Sequence, residues 1–160
     1  MKEDSWLIFW FGPEPWFDII HHVLIDAGFK NRRMPGIWAK PGGQTMHPNI
    51  YFASAYEMFF YARKGNAEIN LDKRGRSNIF QFQPVSSSSK IHETERPIEM
   101  MEELLKVFTW EGSRVLVPFA GSGNTLRAAF NLNMFPLGYD LTKEYKDSFV
   151  SRILKEELSK

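Results

Sequence analysis

The fold is decided by residues 114–129, which read RVLVPFAGSGNTLRAA. An apolar run comes first, helix-forming residues come last, and Gly121-Ser122-Gly123 lies between them. This order predicts a strand, a tight turn and a helix. Glycines in such a turn allow positive φ angles and let a ligand approach the backbone closely. The N–H groups in the first turn of the helix would then face that ligand.

Several ligands could use a turn of this kind. A phosphate-binding P-loop requires Lys and then Ser or Thr after its last glycine, whereas Gly123 is followed by Asn124 and Thr125. A dinucleotide fingerprint that begins at Gly121 would need Gly or Ala where Leu126 stands. The turn therefore matches neither pattern in full.

An acidic residue, Asp140, ends the next apolar run. A carboxylate at the end of the second strand suits the two hydroxyls of a ribose. The turn and this acid together indicate an adenosine-containing ligand without a demanding pyrophosphate. An ordinary strand–helix–strand turn with a surface Asp is the alternative, and because glycine turns are common, these features alone leave both interpretations open.

Composition limits the class of protein. The chain has 160 residues, of which 43% are hydrophobic and 15% aromatic, so it can bury the core of one domain and is not disordered as a whole. Its 20 basic and 19 acidic residues give a net charge of +1, so any contact with DNA must come from a local patch. The absence of Cys excludes disulfides and thiolate metal sites and agrees with a cytoplasmic location.

Targeting, membrane and metal signals are weak along the whole chain. The first residues are acidic and do not resemble a signal peptide, and the longest clear apolar run, residues 6–11, is too short to span a bilayer. The adjacent His21 and His22 would point about 100° apart on a helix, so they cannot easily chelate one metal. We therefore expect no metal site and no membrane partner.

Hydrophobic periodicity predicts the remaining elements. The continuous apolar run at residues 5–11 predicts a strand buried on both faces, as in a parallel sheet with helices on each side. A helix follows, from Pro15 to a C-terminal cap at Gly28. The other predicted elements are strands at residues 32–40 and 55–63, loops at 41–49 and 65–90, a helix at 97–108 and a last helix capped by Thr142.

Residues 92–152 resemble the C-terminal half of the DNA amino-methyltransferases, which methylate adenine N6 or cytosine N4. Thr94-Glu95-Arg96-Pro97 precedes the glycine turn, which is the order of their circularly permuted β class. Gly28-Phe29, a Trp-x-Lys strand ending at Lys40, and Tyr-Glu-x-x-x-Tyr-Ala-x-Lys-Gly at residues 56–65 are also similar to that family. The resemblance thus covers nearly all of the chain.

The resemblance implies a fold, a cofactor and an organisation. The fold would be α/β, a Rossmann-like S-adenosylmethionine-dependent methyltransferase sheet flanked by helices and incomplete at its N-terminal side. Residues 1–160 would form a single domain, with a target-base half at 1–64, a loop at 65–91 and a cofactor-binding half at 92–160. The expected function is that of the S-adenosylmethionine-binding part of a site-specific DNA methyltransferase, with adenine N6 favoured over cytosine N4.

The resemblance also implies which residues contact the cofactor. Arg96 stands where the family usually has Lys, and Val117 stands where it usually has Asp. The implied cofactor-binding residues are Thr94, Arg96, Pro97, Pro118, Phe119, Ala120, Gly121, Ser122, Gly123, Asn124, Thr125 and Asp140.

The family's catalytic tetrapeptide, Asp/Asn/Ser-Pro-Pro-Tyr/Phe/Trp, is absent from the chain. Residues 12–16, GPEPW, contain the right residue types in the wrong order. In the family, the strand that carries this motif lies between the strands at Val115 and Trp6. We therefore expect a piece of a longer protein, rather than a strand supplied by a partner or a sheet that closes differently.

The missing motif leaves the chain without an assigned catalytic residue, so we expect it to be inactive alone. Glu57 is the only acid that we would test as a substitute. Weak DNA binding is predicted for a basic group in or beside the long loop, although a solvated loop is the alternative: Arg63, Lys64, Lys73, Arg74 and Arg76. A degenerate, non-catalytic module that binds DNA or a protein partner is the alternative function.

Overall fold

The computed structural model describes residues 1–70 and 75–158, and the chain divides into two compact units, Met1–Gln83 and Pro84–Lys160. The boundary falls within the segment that the sequence predicts as a long loop. The organisation as a single methyltransferase-type domain stays a prediction.

The described residues of the first unit form a four-stranded mixed sheet and one helix. Its strands lie in the order β1-β3-β2-β4, where β1 and β2 both run antiparallel to β3, and β4 runs parallel to β2. The elements are β1 (Ser5–Phe11), α1 (Trp16–Asp26), β2 (Gly36–Gln44), β3 (Ser54–Lys64) and β4 (Ile79–Gln81). The three predicted strands and the helix are therefore confirmed.

Two predictions about the first strands are wrong in detail. The strand β1 is antiparallel to β3 and mostly half-buried, whereas the sequence predicted a fully buried strand of a parallel sheet. The strand β2 continues through residues 41–44, which were predicted as loop, after a register shift beyond Ala39. A continuous apolar run does not determine whether the strand beside it runs parallel or antiparallel. Pro and Gly at residues 41–43 are more typical of a loop than of a strand, so the irregular end of β2 was not predicted.

The predicted loop at residues 65–90 contains the strand β4, which the sequence analysis missed. Three residues are too few to show an alternation, and this strand depends on long-range pairing with β2. Two side chains anchor it, because Trp38 Nε1 donates to the carbonyl of Phe82 at 2.9 Å and Asn78 Nδ2 donates to the carbonyl of Pro35 at 2.7 Å.

The core of the first unit forms where α1 packs on the sheet. Leu24 of the helix is buried against Phe60 and Ala62 of β3, and further apolar side chains of β1 and α1 pack around them. Gly28 ends the helix as predicted, with φ +82° and its N–H donating to the carbonyl of Ile25 at 2.9 Å.

As far as residue 158, the second unit combines a two-stranded parallel sheet with three helices. Its helix α2 buries the apolar stripe that the sequence predicted, including Met101, Leu104 and Phe108. The elements are α2 (Ile98–Phe108), β5 (Arg114–Val117), α3 (Asn124–Asn131), β6 (Phe135–Gly138) and α4 (Lys143–Leu158). The predicted strand, turn and helix at residues 114–129 are thus confirmed.

One face of the β5–β6 sheet is covered by a helix, and the other face is exposed to solvent. One face packs on α3 so closely that a Cβ at Gly138 would lie 2.6 Å from Leu126. The other face carries apolar side chains that remain exposed to solvent, namely Leu116 at 58%, Phe135 at 67% and Leu137 at 55%. Because parallel sheets are normally covered on both faces, this face is unusual for its class.

Candidate functional site

The glycine turn after β5 has the geometry that its sequence predicts. Gly121 has φ +52° and Gly123 has φ +76°, both in the left-handed region. Gly123 precedes the first residue of α3, and a Cβ there would overlap the ring of Phe149 from α4. The turn therefore requires glycine at 123 for two independent reasons, its backbone conformation and the close approach of α4.

Asp140 lies against this turn, as the sequence suggested. Its Oδ2 accepts a hydrogen bond from the Gly121 N–H at 2.7 Å, and its Oδ1 accepts one from the Thr142 N–H at 2.9 Å. These backbone donors, from Thr142 and then from Gly121, hold the pKa of Asp140 below its usual value, and the nearby His92 contributes. Each oxygen keeps a lone pair for a ligand hydroxyl, because an ionised carboxylate can accept about four hydrogen bonds.

A buried ionic network lies beside the turn. Glu95 is only 4% exposed, and its Oε1 accepts hydrogen bonds from Arg152 Nη1 at 2.7 Å and from Asn124 Nδ2 at 3.0 Å. Its Oε2 accepts from the Ile91 N–H at 2.8 Å. Burial raises the pKa of Glu95, but the hydrogen bonds and the charge of Arg152 outweigh burial and leave the pKa lowered. The network ties residues 91–96 to the start of α3 and to α4.

The side chain of Asn124 belongs to this network. Its Nδ2 also donates to the carbonyl of Arg96 at 2.8 Å, and its Oδ1 accepts from Arg152 at 3.0 Å. The amide therefore fixes the predicted cofactor segment in place. A role of Asn124 in direct cofactor binding stays a prediction.

His92 is a residue of this region that the sequence analysis did not assign. Its ring lies over Gly121, where a Cβ would meet the ring atoms at 3.3–3.5 Å. It also packs edge-on against Tyr145 of α4, with 4.4 Å between ring centroids. The only feature of the sequence that could have pointed to His92 is its position two residues before Thr94, a predicted cofactor-binding residue.

The other predicted cofactor residues differ in exposure. Phe119 is 82% exposed, whereas Ser122 is buried. Val117 is the last residue of β5, and its carbonyl accepts from the Tyr139 N–H at 3.0 Å. Its side chain is apolar, so this position supplies no carboxylate to a ligand. Of the rest, Pro97 is buried, Arg96, Ala120 and Thr125 are half-buried, and Thr94 and Pro118 are exposed.

The predicted DNA-binding residues belong to the first unit. Arg63 Nη1 donates to the carbonyl of Ala67 at 3.3 Å, and Lys64 forms an ion pair with Glu3 at 3.6 Å. Arg76 is half-buried. Lys73 and Arg74 lie outside the described residues, so the structure says nothing about their contacts.

Glu57, the one acid considered as a catalytic substitute, forms an ion pair with a lysine side chain. Lys40 Nζ lies 2.8 Å from Glu57 Oε1 and 4.7 Å from the centroid of the Trp38 ring. This ion pair joins the Trp-x-Lys strand β2 to the Tyr-Glu strand β3. Glu57 therefore has a structural partner in its own unit.

The described part of the chain has neither a membrane-spanning helix nor a metal-binding cluster. Within residues 1–70 and 75–158, each helix is too short or too polar to span a lipid bilayer. The same stretches hold no group of three or more His, Cys, Asp or Glu side chains that could bind a metal ion.

Comparisons with known proteins agree with this geometry. The Type II methyltransferase M.HindIII of Haemophilus influenzae is 36% identical over 77 residues, covering 48% of this chain and 25% of its own length. M.BglII of Bacillus subtilis is 29% identical over 142 residues, covering 69% of this chain and 39% of its own length. The chain thus spans about a quarter to two fifths of these relatives.

Solved structures and a family model complete the comparison. The crystal structure of the M1.HpyAVI–SAM complex superimposes with a TM-score of 0.82 at 21% identity, covering 96% of this chain and 76% of the other. This match confirms the predicted α/β methyltransferase fold. The model of the N6/N4 methyltransferases, described as DNA methylase, matches residues 1–151. The chain therefore belongs to the DNA methylase family of N6/N4 amino-methyltransferases.

Proposed function

We propose that the chain is the S-adenosylmethionine-binding part of a site-specific DNA amino-methyltransferase. The observation that carries the proposal is the hydrogen bond from the Gly121 N–H to Asp140 at 2.7 Å. It places an ionised carboxylate beside a glycine turn whose backbone a ligand can approach closely. A ribose with two hydroxyls suits such an acceptor. The M1.HpyAVI relative in fold was solved as a complex with SAM, which supports the choice of cofactor.

The segment before α2 would hold the amino-acid part of the cofactor. Glu95 Oε2 accepts from the Ile91 N–H and Asn124 Nδ2 donates to the Arg96 carbonyl, so the backbone that carries Arg96 is held in place. Arg96 would pair with the cofactor carboxylate, and a guanidinium can do so through two parallel hydrogen bonds. Thr94 and Pro97 would line this end, while Pro118, Phe119, Ala120, Ser122, Gly123 and Thr125 would pack around the cofactor.

The reaction would be methyl transfer to an exocyclic amine of DNA, with adenine N6 favoured over cytosine N4. The amine lone pair is conjugated into the base, so the enzyme must accept its protons and hold the flipped base against an aromatic ring. Those groups belong to the tetrapeptide that the chain lacks. A further segment, in the same polypeptide or in a partner, would supply it.

The bare face of the β5–β6 pair supports a further segment. Leu116 and Leu137 are neighbours in the parallel register, and both side chains are more than half exposed. Covering this face would remove a contiguous apolar surface from water.

Binding of DNA at the basic residues near Arg63 and Arg76 would be weak and not sequence-specific. A protein that acts on cellular DNA would belong in the cytoplasm.

A non-catalytic methyltransferase-like module that binds DNA or a protein partner is the second candidate. Val117 and the absent tetrapeptide favour it, because both remove groups that the family uses at its site. Cofactor binding discriminates the two, since a module that has lost its chemistry has no need for S-adenosylmethionine.

One experiment tests the proposed function. The purified chain is incubated with labelled S-adenosylmethionine and mixed-sequence DNA, beside a version extended upstream to include the tetrapeptide. We expect both to bind cofactor and only the extended version to methylate DNA, because losing an oriented acceptor costs a factor of about 10²–10³ in rate. Comparable transfer by both chains would overturn the division of roles. Methylation by neither, with cofactor bound by neither, would favour the second candidate.

A further inference from the structure

The loop that joins β2 to β3, residues 45–53, presents large apolar side chains to solvent. Four of the seven residues from 46 to 52 are of this kind, with exposed fractions of 92% for Met46, 72% for Ile50, 65% for Tyr51 and 102% for Phe52. Single exposed apolar residues are common on protein surfaces, whereas a contiguous group of them marks a contact surface.

Hydrogen bonds hold this loop in one conformation. At its base, the backbone of Gln44 pairs with that of Ser54 across the two strands. Within the loop, the N–H groups of Ile50 and Tyr51 both donate to the carbonyl of His47 at 3.0 Å, and the His47 and Tyr51 rings meet edge-on. A loop that is already ordered loses little conformational entropy when its exposed side chains bind a partner.

The loop carries no formal charge at neutral pH. Residues 41–56 contain no Asp, Glu, Lys or Arg, and the charged residues on either side, Lys40 and Glu57, are paired with each other. The loop therefore neither attracts nor repels phosphate groups. Segments that bind a membrane surface combine apolar residues with Lys or Arg, which this loop lacks. These features fit an apolar contact inside a nucleic acid whose phosphates are bound elsewhere on the protein.

Duplex DNA offers such a contact where a base has left the stack. An enzyme that acts on an exocyclic amine needs the target base outside the duplex, and extrusion leaves a gap between the flat faces of the neighbouring bases. Proteins that deform DNA insert Phe, Ile or Met side chains between base steps, and this loop carries all three types, at Phe52, Ile50 and Met46. Phe52 is the fully exposed aromatic ring, so it can stack on bases.

We propose that the loop of residues 45–53 is a wedge that inserts Phe52 into duplex DNA at the position vacated by the target base. This inference rests on the proposed function, because the vacancy arises when a base is extruded for methylation. It gives the first unit a DNA contact that does not depend on the basic residues near Arg63 and Arg76. Phosphate contacts supply salt-dependent affinity, whereas the wedge supplies a preference for duplexes in which a base is missing.

A duplex with one abasic site imitates the vacancy without base extrusion. The purified chain is titrated by fluorescence anisotropy at low salt with an intact duplex and with the same duplex carrying one abasic site. A 2-aminopurine next to the abasic site reports stacking, because its fluorescence changes when a ring stacks on it. The variants are Phe52→Ala, Phe52→Trp and the control Phe130→Ala, which removes an exposed ring from α3 in the second unit.

We expect the parent to bind the abasic duplex at least about fivefold more tightly than the intact duplex, the value of one stacked aromatic ring. Phe52→Ala should lose this preference, lose the 2-aminopurine signal and keep its affinity for the intact duplex within about twofold of the parent. Phe52→Trp and Phe130→Ala should keep the preference. The thermal midpoint of Phe52→Ala should match that of the parent, because the side chain is fully exposed.

The outcomes separate this inference from the proposed function, because binding of S-adenosylhomocysteine is measured on the same samples. A parent that binds S-adenosylhomocysteine but does not prefer the abasic duplex overturns the wedge alone. A Phe52→Ala variant that loses affinity equally for both duplexes does the same. So does sedimentation in which Phe52→Ala dissociates a dimer of the parent, since the loop would then contact a second copy. A preference for the abasic duplex without cofactor binding supports the wedge and overturns the cofactor assignment, and binding of neither ligand overturns both.

Discussion

Arg152 and Glu95, which are 57 positions apart in the chain, form an ion pair at 2.7 Å whose carboxylate is almost fully buried. The pair joins α4 to the segment that precedes α2. The same guanidinium reaches Asn124 at 3.0 Å, so a single side chain connects the proposed cofactor segment, the glycine turn and the last helix. The candidate site therefore depends on a charge that lies outside it.

The first prediction is that breaking this pair destabilises the chain. Glu95→Gln leaves Arg152 without its buried counter-charge and should lower the free energy of unfolding by about 2–3 kcal/mol, less than for a fully buried pair because Arg152 is 23% exposed. Urea unfolding measures this change. Glu103→Gln is the control, because its pair with Lys106 is exposed, and it should cost less than about 1 kcal/mol. Equal midpoints for the two variants would contradict the prediction.

The second prediction concerns acid. The pKa values of Glu95 and Asp140 are both lowered in the folded chain, so both carboxylates stabilise the fold above the pKa of the unfolded state. That stability is lost as the pH falls through the folded-state pKa values. Denaturant midpoints should therefore drop on acidification below about pH 5. Glu95→Gln should flatten this dependence, whereas Glu103→Gln should leave it as steep as in the parent.

The third prediction tests the ribose contact. Asp140→Ala should weaken binding of S-adenosylhomocysteine by about 1–3 kcal/mol, because paired hydroxyl contacts are lost. Calorimetry gives the affinity, and a thermal midpoint for the variant shows whether loss of the Gly121 hydrogen bond has disturbed the turn. Asp26→Ala, at an exposed position in the first unit, is the control. Parent-like affinity in the Asp140 variant would refute the ribose assignment.

The fourth prediction separates backbone strain from close packing. Gly112 and Gly123 share φ +76°, but only at Gly123 would a Cβ meet a neighbour, the ring of Phe149. Gly112→Ala should cost about 1–2 kcal/mol for the left-handed conformation. Gly123→Ala should cost about 1–3 kcal/mol more, because the ring must move. Urea unfolding of the two variants measures the difference. Equal losses in the free energy of unfolding would mean that Phe149 on α4 can move aside at no energetic cost.

The fifth prediction concerns DNA. Charge reversal at Lys73, Arg74 and Arg76 should weaken the binding of mixed-sequence DNA and reduce its dependence on salt, because fewer counterions are released from the phosphates. Fluorescence anisotropy at several salt concentrations measures both quantities. Reversal at Lys2, Arg32 and Lys146 changes the net charge equally and serves as the control. If both triple variants lose affinity alike, the loop has no specific role.

The sequence predicted features that local chemistry determines. Gly28 ends α1 and Gly123 precedes α3, because each takes a backbone conformation that other residues rarely adopt. Asp140 reached the turn because the ends of neighbouring parallel strands lie at the same edge. The apolar stripe of α2 is buried because its spacing matches one face of a helix.

The sequence did not reveal features that arise from packing. The strand β4 is three residues long and exists through its pairing with β2. Glu95 lies in a polar segment between charged residues, so nothing local distinguishes it from a solvated acid. Its burial depends on Asn124 and Arg152, which approach from two other elements. His92 is similar, since its partners Gly121 and Tyr145 are distant in sequence.

Each of the two compact units is a single unbroken stretch of chain, Met1–Gln83 and then Pro84–Lys160. During synthesis, every strand of the four-stranded sheet is therefore available before the second unit has emerged from the ribosome. The first sheet can form from nascent chain, and its apolar strands are shielded early. The glycine turn and its buried ion pair must wait for α4, so the ionic network of the second unit can close only after the first sheet has emerged.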